Sequence, residues 1–310
     1  MSHSFLKESK LYIVYGSGNG VKHRIYTSSA ITFSQSFAED SYPVKTLHDQ
    51  SKMIEGTTVT KANPAQFSFT VPLTIEKDES LVMDLLSDLV ATSESDIESQ
   101  QLKSFDMYVQ TGSSTFKQEK CVVTSANFAF NPRTQFTVEL AGQGTKLSRA
   151  GDESYSIPGS ARPESSTRTP LIVYPEVTVD SLNMSSILSI TLQIQNDIVW
   201  TPYETLHESL SVTNSSNAMF PSAYTVDKRI VSGAINQYQT DNNITQFDNF
   251  STNSNINISA KKTDGTTFWA IQINPAMYTA RMQPASAYTQ SYDFRSVDNT
   301  ALGTRITTYS

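Results

Sequence analysis

The stretch ITFSQSFAEDSYPVKTLH, residues 31–48, has a second version in the same chain, ITLQIQNDIVWTPYETLH, residues 190–207. Both begin with alternating apolar and polar residues, the period of a strand with one buried face. Aligned without a gap, 159 positions apart, they share six residues: Ile31 with Ile190, Thr32 with Thr191, Pro43 with Pro202, Thr46 with Thr205, Leu47 with Leu206 and His48 with His207.

A second pair of stretches keeps the same offset. VELAGQGTKL at 138–147 aligns with VDNTALGTRI at 297–306, which matches Gly144 with Gly303 and places Glu139 opposite Asp298. Two distant windows with one offset favour a tandem duplication over the chance reuse of Thr, Val and Gly in a β-rich chain.

Length agrees with a duplication, because 310 residues suffice for two domains with a core each. GDESYSIPGSARPESSTRTP, residues 151–170, is rich in Ser, Pro and Gly and has no apolar period. We therefore predict a first domain at 1–150, a linker or extended arm at 151–170 and a second domain at 171–310.

The dominant period of both halves is two, as in AQFSFTVPL at 65–73. One segment differs: KDESLVMDLLSDLV, 77–90, has the apolar stripe of an amphipathic helix, and NNITQFDNF, 242–250, is a shorter and more polar counterpart. We expect a mainly β fold of two tandem β-sandwich or barrel domains, each antiparallel with one helix and the second helix reduced.

A net charge of -7 disfavours a protein that grips nucleic acid through phosphate contacts, since these need clustered Lys and Arg. The start MSHSFLKESK lacks a signal peptide, and no apolar run approaches the length of a membrane span, which predicts a protein made in a cytoplasm. The single cysteine, Cys121, alternates with strand residues and is expected to be a buried thiol.

Catalytic patterns are missing from the sequence. GSGNG at 16–20 lacks the spacing of a dinucleotide loop and reads as a turn between strands. The four histidines are dispersed, so we predict no catalytic, cofactor-binding or metal-binding residues and no enzyme activity. Trp200 and Trp269 could form a sugar-binding platform, but core or interface positions are favoured.

The element order of the first half resembles that of tail tube proteins of tailed bacteriophages, which are related to the tube proteins of type VI secretion systems and pyocins. The elements are the strand ITFSQSF, a long polar loop, a strand of alternating phenylalanines, a helix, and strands ending in TQFTVELAGQGTKL. The second half shows the same order less clearly. The resemblance implies rings of six β domains around a DNA channel, and hence three two-domain chains per ring.

The resemblance also implies that the long loops, Glu39–Asn63 and Asp197–Ser222, contact the next ring. The candidate stacking residues are the shared ones: Pro43, Thr46, Leu47, His48, Pro202, Thr205, Leu206 and His207. Glu139 and Asp298 are candidate acids of the channel lining.

The implied partners are further copies of the chain, a tape measure protein, a tail terminator, baseplate or tip proteins and, in a contractile tail, a sheath. Double-stranded DNA would pass through without specific binding, and no membrane is involved. The implied location is the virion tail, after synthesis in the host bacterial cytoplasm.

Three alternatives stay open. A baseplate protein that initiates the tube would share all these features with a major tube subunit. A tandem-sandwich adhesin for a receptor or carbohydrate would need an exposed aromatic platform. A hydrolase on a β scaffold would need an acid, base or nucleophile constellation that the sequence does not display.

Overall fold

The computed structural model describes residues 9–16, 20–42, 56–75, 85, 102–131, 133–162, 167–180, 182–200, 219–221, 223–243, 250–283, 287–297 and 305–309. These residues form eighteen strands, which confirms the mainly β prediction. The strands are β1 (Lys10–Tyr15), β2 (Val21–Ile25), β3 (Thr32–Ser34), β4 (Phe37–Tyr42), β5 (Gly56–Ala62), β6 (Ala65–Pro72), β7 (Phe105–Gln110), β8 (Thr115–Phe130), β9 (Thr137–Gly144), β10 (Lys146–Gly151), β11 (Ser160–Ala161), β12 (Tyr174–Val179), β13 (Ile187–Trp200), β14 (Tyr224–Tyr238), β15 (Phe250–Lys261), β16 (Thr267–Gln283), β17 (Thr289–Ser296) and β18 (Arg305–Tyr309).

An inner layer of eight strands crosses the whole molecule in the order β3, β6, β9, β8, β13, β14, β17, β16, with every pairing antiparallel. Most of these strands alternate buried and accessible residues; in β6 every second residue, from Ala65 to Val71, is buried. One side of this layer is therefore apolar and the other polar, as antiparallel sheets with one solvated face require.

Two outer groups of strands cover the apolar side. The first half of β8 pairs with β7 and β10, and the sheet continues from β7 to β1 and β2. Residues 267–279 of β16 pair with β15 and residues 269–272 pair with β18, and the sheet continues from β15 to β12. Phe67 of β6 meets Phe105 of β7 with ring centroids 5.8 Å apart, so the core lies between the layers. Cys121 is fully buried in this core, as predicted.

The pairing scheme of the first seven core strands recurs later in the chain. Each contact among β1, β3, β6, β7, β8, β9 and β10 has its counterpart among β12, β13, β14, β15, β16, β17 and β18, taken in the same order. The short strands β2 and β11 have no such counterpart among the described residues, and β11 lies within the expected linker, where it pairs with β2 in parallel. The division at 151–170 stays a prediction.

Pairing of β8 with β13 joins the two halves into one sheet, over the register Ser125↔Gln195 to Phe130↔Ile190. Phe128 also stacks on Trp269 at 4.9 Å between ring centroids. Sixteen of the described strands thus form one open, branched sheet with a shared core, and β4 and β5 form a separate two-stranded sheet. This arrangement differs from the expected sandwich or barrel closed within each half.

Both regions that the sequence suggested as long loops consist partly of strand. Residues 39–42 lie in β4 and 56–62 in β5, whose pairing makes a hairpin, and residues 197–200 are the end of β13. The expected loops Glu39–Asn63 and Asp197–Ser222 are therefore too long, because strand pairing continues past the sheet proper.

The prediction of one helix in each half is not borne out. Of residues 77–90 only Leu85 belongs to the described part; it is helical and 2 % exposed. In the second half, Asn242 and Asn243 form a turn and Phe250 begins β15 with 74 % exposure, so Phe250 does not lie on a buried helix face. Residues 244–249, which include the other apolar positions of that segment, lie outside the described residues.

Candidate assembly surface

The accessible side of the inner layer, called here the polar face, is continuous across both halves. One row of directly paired residues crosses seven strands, and none of its members is buried. The row consists of Thr70, Glu139, Asn127, Gln193, Ser232, Arg295 and Met277, from β6, β9, β8, β13, β14, β17 and β16. Because neighbouring strands share one register, hydroxyl and amide groups line up over the whole face.

Glu139 lies exposed on this face, as its place on the polar side of a late strand predicts. Its carboxylate accepts a hydrogen bond from the Asn127 side-chain amide at 3.3 Å. The two residues line a shallow depression of about 420 Å³ together with Thr70, Thr137 and Gln193. Around Glu139 the surface is thus mainly uncharged and polar.

Charge on the polar face increases toward its β16 end. The Arg281 guanidinium forms an ion pair with the carboxylate of Asp293 on the neighbouring strand. Arg295 donates from Nε to the sulfur of Met277 at 3.3 Å. Sequence reasoning missed this cluster, since the alternating period marks the exposed side of a strand without showing which strands are neighbours.

Two strand edges at opposite ends of the inner layer are unpaired within the described part of the chain. At one end, β3 pairs only with β6. At the other end, residues 280–283 of β16 pair only with β17. A strand edge presents free backbone N–H and C=O groups, which can form hydrogen bonds with a strand of another chain.

The hairpin of β4 and β5 and the long hairpin of β13 and β14 extend from the same end of the inner layer. Across strands, Ser34 pairs with Gln66, Gln66 with Gln143, and Gln143 with Val122. β4 begins just beyond Ser34, and the side chain of Trp200, at the end of β13, reaches Gln143 through a 2.6 Å hydrogen bond from its indole N–H.

Aromatic contacts hold the bases of both hairpins. Phe37 meets Phe220 edge to face at 6.5 Å between centroids, and the Lys146 ammonium lies 4.8 Å from the Phe220 ring. Trp200 meets Tyr224 at 5.2 Å. Phe37 is 50 % exposed, since it lies beyond the covered part of the sheet.

All eight candidate stacking residues lie outside the described residues, as does Asp298. Pro43, Thr46, Leu47 and His48 belong to the connection between β4 and β5, and Pro202, Thr205, Leu206 and His207 to that between β13 and β14. Their placement in hairpin connections follows from the flanking strands, and their role stays a prediction.

Features that the alternatives require are not found in the described part of the chain. Trp269 is fully buried, and Trp200 is partly buried and hydrogen-bonded, so neither forms an exposed platform. The described residues contain no cluster of His, Cys, Asp and Glu that could hold a metal ion. Nor does any helix among them have the length and apolar character of a membrane span.

Comparison with known proteins identifies one family. A family model described as the bacteriophage baseplate tube protein family matches residues 1–304, which is nearly the whole chain. No curated protein matches the chain. The family is structural, in agreement with the expectation that the chain is not an enzyme. The chain belongs to the bacteriophage baseplate tube protein family, and it is a structural component of a phage tail or baseplate.

Proposed function

We propose that the protein is a tube subunit that closes into a ring of three chains around a channel lined by the polar face. The observation that carries the proposal is the junction of β8 with β13 inside the chain, combined with matching edges at β3 and β16 that are unpaired among the described residues. The polar side of a continuous sheet would then face the water-filled channel.

The internal junction supplies a template for the contact between chains. By the repeated pairing scheme, β3 corresponds to β13 and β16 corresponds to β8. β3 of one copy therefore pairs with residues 280–283 of β16 in a neighbouring copy, as β13 pairs with β8 within the chain. Such a contact is heterologous, the type that closes into rings.

Strand pairing also defines the register of that contact. Thr32 pairs with Ser68 and Thr191 with Ala234, which are corresponding positions, so Thr32 corresponds to Thr191 and Ser34 to Gln193. Gln193 pairs with Asn127, whose counterpart in β16 is Arg281. If the contact between copies repeats the internal junction, Ser34 lies opposite Arg281 of the neighbouring copy.

The two hairpins extend from one end of the sheet, and this supports a role in stacking rings. Their connections carry the repeated Pro and Thr-Leu-His, and in a ring of three chains six such connections would face one side. We propose that they contact the next ring, where one interaction occurs twice per chain.

The test is the mass and shape of the purified protein across a concentration series. Native mass spectrometry should give a particle of three times the 34.3 kDa chain mass, and negative-stain electron microscopy should show hollow rings or tubes. A monodisperse monomer at all concentrations and low salt would argue against ring closure and would direct attention to the adhesin.

A second candidate, a baseplate tube initiator, is favoured by the family description, which specifies the baseplate. The two roles differ in stacking. A major tube subunit should polymerise into tubes of many rings, whereas an initiator should stop at one ring or a short stack. Tube length in the same micrographs separates the two.

A further inference from the structure

The end of the inner layer opposite the hairpins is built differently in the two halves. In the first half, Leu73 donates its N–H to the carbonyl of Phe136 at 2.9 Å, just beyond the paired residues Pro72 and Thr137. In the second half, Gln239 donates to the carbonyl of Tyr288 at 3.0 Å, just beyond Tyr238 and Thr289. Phe136 and Tyr288 therefore occupy corresponding positions.

A segment from the second half covers this end of the first half. Leu171 donates its N–H to the Leu73 carbonyl at 3.0 Å and accepts from the Phe136 N–H at 2.8 Å. Isolated bridges join Thr74 to Pro170 and Gln135 to Ile172. Under this cover Phe136 is 1 % exposed, and its ring lies 4.9 Å from that of Phe130.

The corresponding end of the second half has no cover among the described residues. Tyr288 is 61 % exposed, and no described segment bonds its N–H or the carbonyl of Gln239 as Leu171 bonds Phe136 and Leu73. The Tyr288 N–H, the Gln239 carbonyl and the Tyr288 ring thus lie together. The corresponding groups of the first half bind an extended segment.

The position of the covering segment in the chain indicates its counterpart. Leu171 lies three residues before β12, the strand that pairs with β15. β1 holds the corresponding place in the first half, pairing with β7. Lys7 lies three residues before β1, as Leu171 does before β12, and the apolar pair Phe5 and Leu6 comes directly before Lys7. Within one chain, the segment that precedes the second half covers the end of the first half.

We propose that the segment preceding β1 in a second copy, residues 4–8, binds the Gln239–Tyr288 end of the chain as residues 170–173 bind the Leu73–Phe136 end. This inference rests on the proposed head-to-tail contact, in which the first half of the next copy follows the second half of this one. The occupant supplies backbone hydrogen bonds to Gln239 and Tyr288, and an apolar residue that covers the Tyr288 ring.

The test is a disulfide between copies of the full-length chain. The exposed Ala287 corresponds to Gln135, which bridges Ile172, and Glu8 lies two residues before β1 as Ile172 lies two residues before β12. The double variant Glu8→Cys/Ala287→Cys, oxidised mildly, should give covalently linked dimers and trimers on a non-reducing gel, and each single variant should not. Cys121 can stay in place, because it is fully buried and burial raises the pKa of its thiol.

The outcomes separate this inference from the proposed ring. Particles of three chains without covalent links, links that form equally in a single variant, or a disulfide within one chain would each overturn the inference and leave the ring standing. Absence of any oligomer in the reduced protein would overturn both. Linked trimers that remain rings in electron micrographs would establish the contact.

Discussion

At the scale of single residues, the inner layer depends on close approach between strands. An added Cβ at Gly233 would lie 2.0 Å from the carbonyl oxygen of Thr191 and 2.7 Å from the Phe294 ring. At Gly142 it would lie 2.1 Å from the carbonyl oxygen of Val122. Each glycine therefore permits a close approach to the neighbouring strand that any side chain would prevent, because the atom nearest to the added Cβ is a backbone oxygen.

Gly233→Ala should lower the free energy of unfolding by about 1–3 kcal/mol, the usual cost of forcing atoms into a filled site. Chemical denaturation measures the loss, with Ser232→Ala on the polar face as the matched control. An unchanged midpoint for Gly233→Ala would show that the strands separate there at little cost.

Ser34 is the residue that reports on the proposed contact between copies. If it lies opposite Arg281, Ser34→Lys should weaken the ring and Ser34→Glu should not, since like charges opposite each other cost about 0.2–1 kcal/mol per pair. The concentration of half-assembly, measured by light scattering at low salt, should rise for Lys alone. Equal effects of both substitutions would contradict this register.

At the scale of elements, tight turns connect the paired strands of the outer groups. Between β15 and β16, the Asp264 carboxylate accepts hydrogen bonds from the N–H and hydroxyl of Thr266 at 2.8 and 2.6 Å, and Gly265 adopts φ +84°. Those bonds favour the charged carboxylate, so the pKa of Asp264 is lowered, chiefly by the Thr266 hydroxyl.

This turn predicts a pH-dependent contribution to stability. Because the folded pKa is below the unfolded value near 3.8, the contribution is present above that value and is lost as the pH falls through the folded pKa. Asp264→Ala should lower Tm at neutral pH, and the difference from the parent should shrink in acid. Asp264→Asn, which keeps an acceptor without a charge, serves as the control; a difference independent of pH would exclude the carboxylate as the cause.

At the scale of the whole molecule, two hairpins with related connections extend from one end of a sheet with open edges. In the proposed assembly these would make two kinds of contact: the edges would join copies into a ring, and the connections would join rings. Variants can therefore affect stacking without affecting ring closure.

Substituting Asp for both Leu47 and Leu206 should leave rings or monomers but no long tubes, because a charge buried in an apolar contact carries a desolvation cost. Electron microscopy and native mass measure stacking and closure separately. Asp substitution at the exposed Ser28 and Ser29, outside both connections, is the control. Tubes of normal length from the Leu variant would count against the stacking role.

Glu139→Lys combined with Asp298→Lys should slow DNA ejection if both face the channel, since added ammonium groups bind phosphates. Ejection kinetics of phage carrying the double variant provide the measurement. Gln66→Lys, at an exposed position on the face that carries Glu139, tests whether any added cation has this effect. Kinetics equal to those of the parent would remove Glu139 from the channel lining.

Much of the fold could be predicted from the order of residues alone. Alternation identifies the buried and solvated side of each strand, because successive side chains point to opposite faces. The offset of 159 between Thr32 and Thr191 agrees with their strand pairing, which places both at corresponding positions. The burial of Cys121 and the exposure of Glu139 follow from the same local period.

Other features depend on which strands become neighbours. Pairing aligns Thr137 with Thr289, so Ser291 in β17 corresponds to Glu139, whereas the sequence offset aligns Glu139 with Asp298. β9 and β10 are separated by one residue, but β17 and β18 by eight, and an alignment without gaps does not register such an insertion.

Contacts between residues distant in the chain decide three further features. These are the joining of β8 to β13, the edges at β3 and β16 that are unpaired among the described residues, and the contrast in exposure between Phe136 and Tyr288. Residue periodicity is local: it reports which side of a strand is buried. The partner of each strand depends on packing throughout the sheet, and only the tertiary structure contains that information.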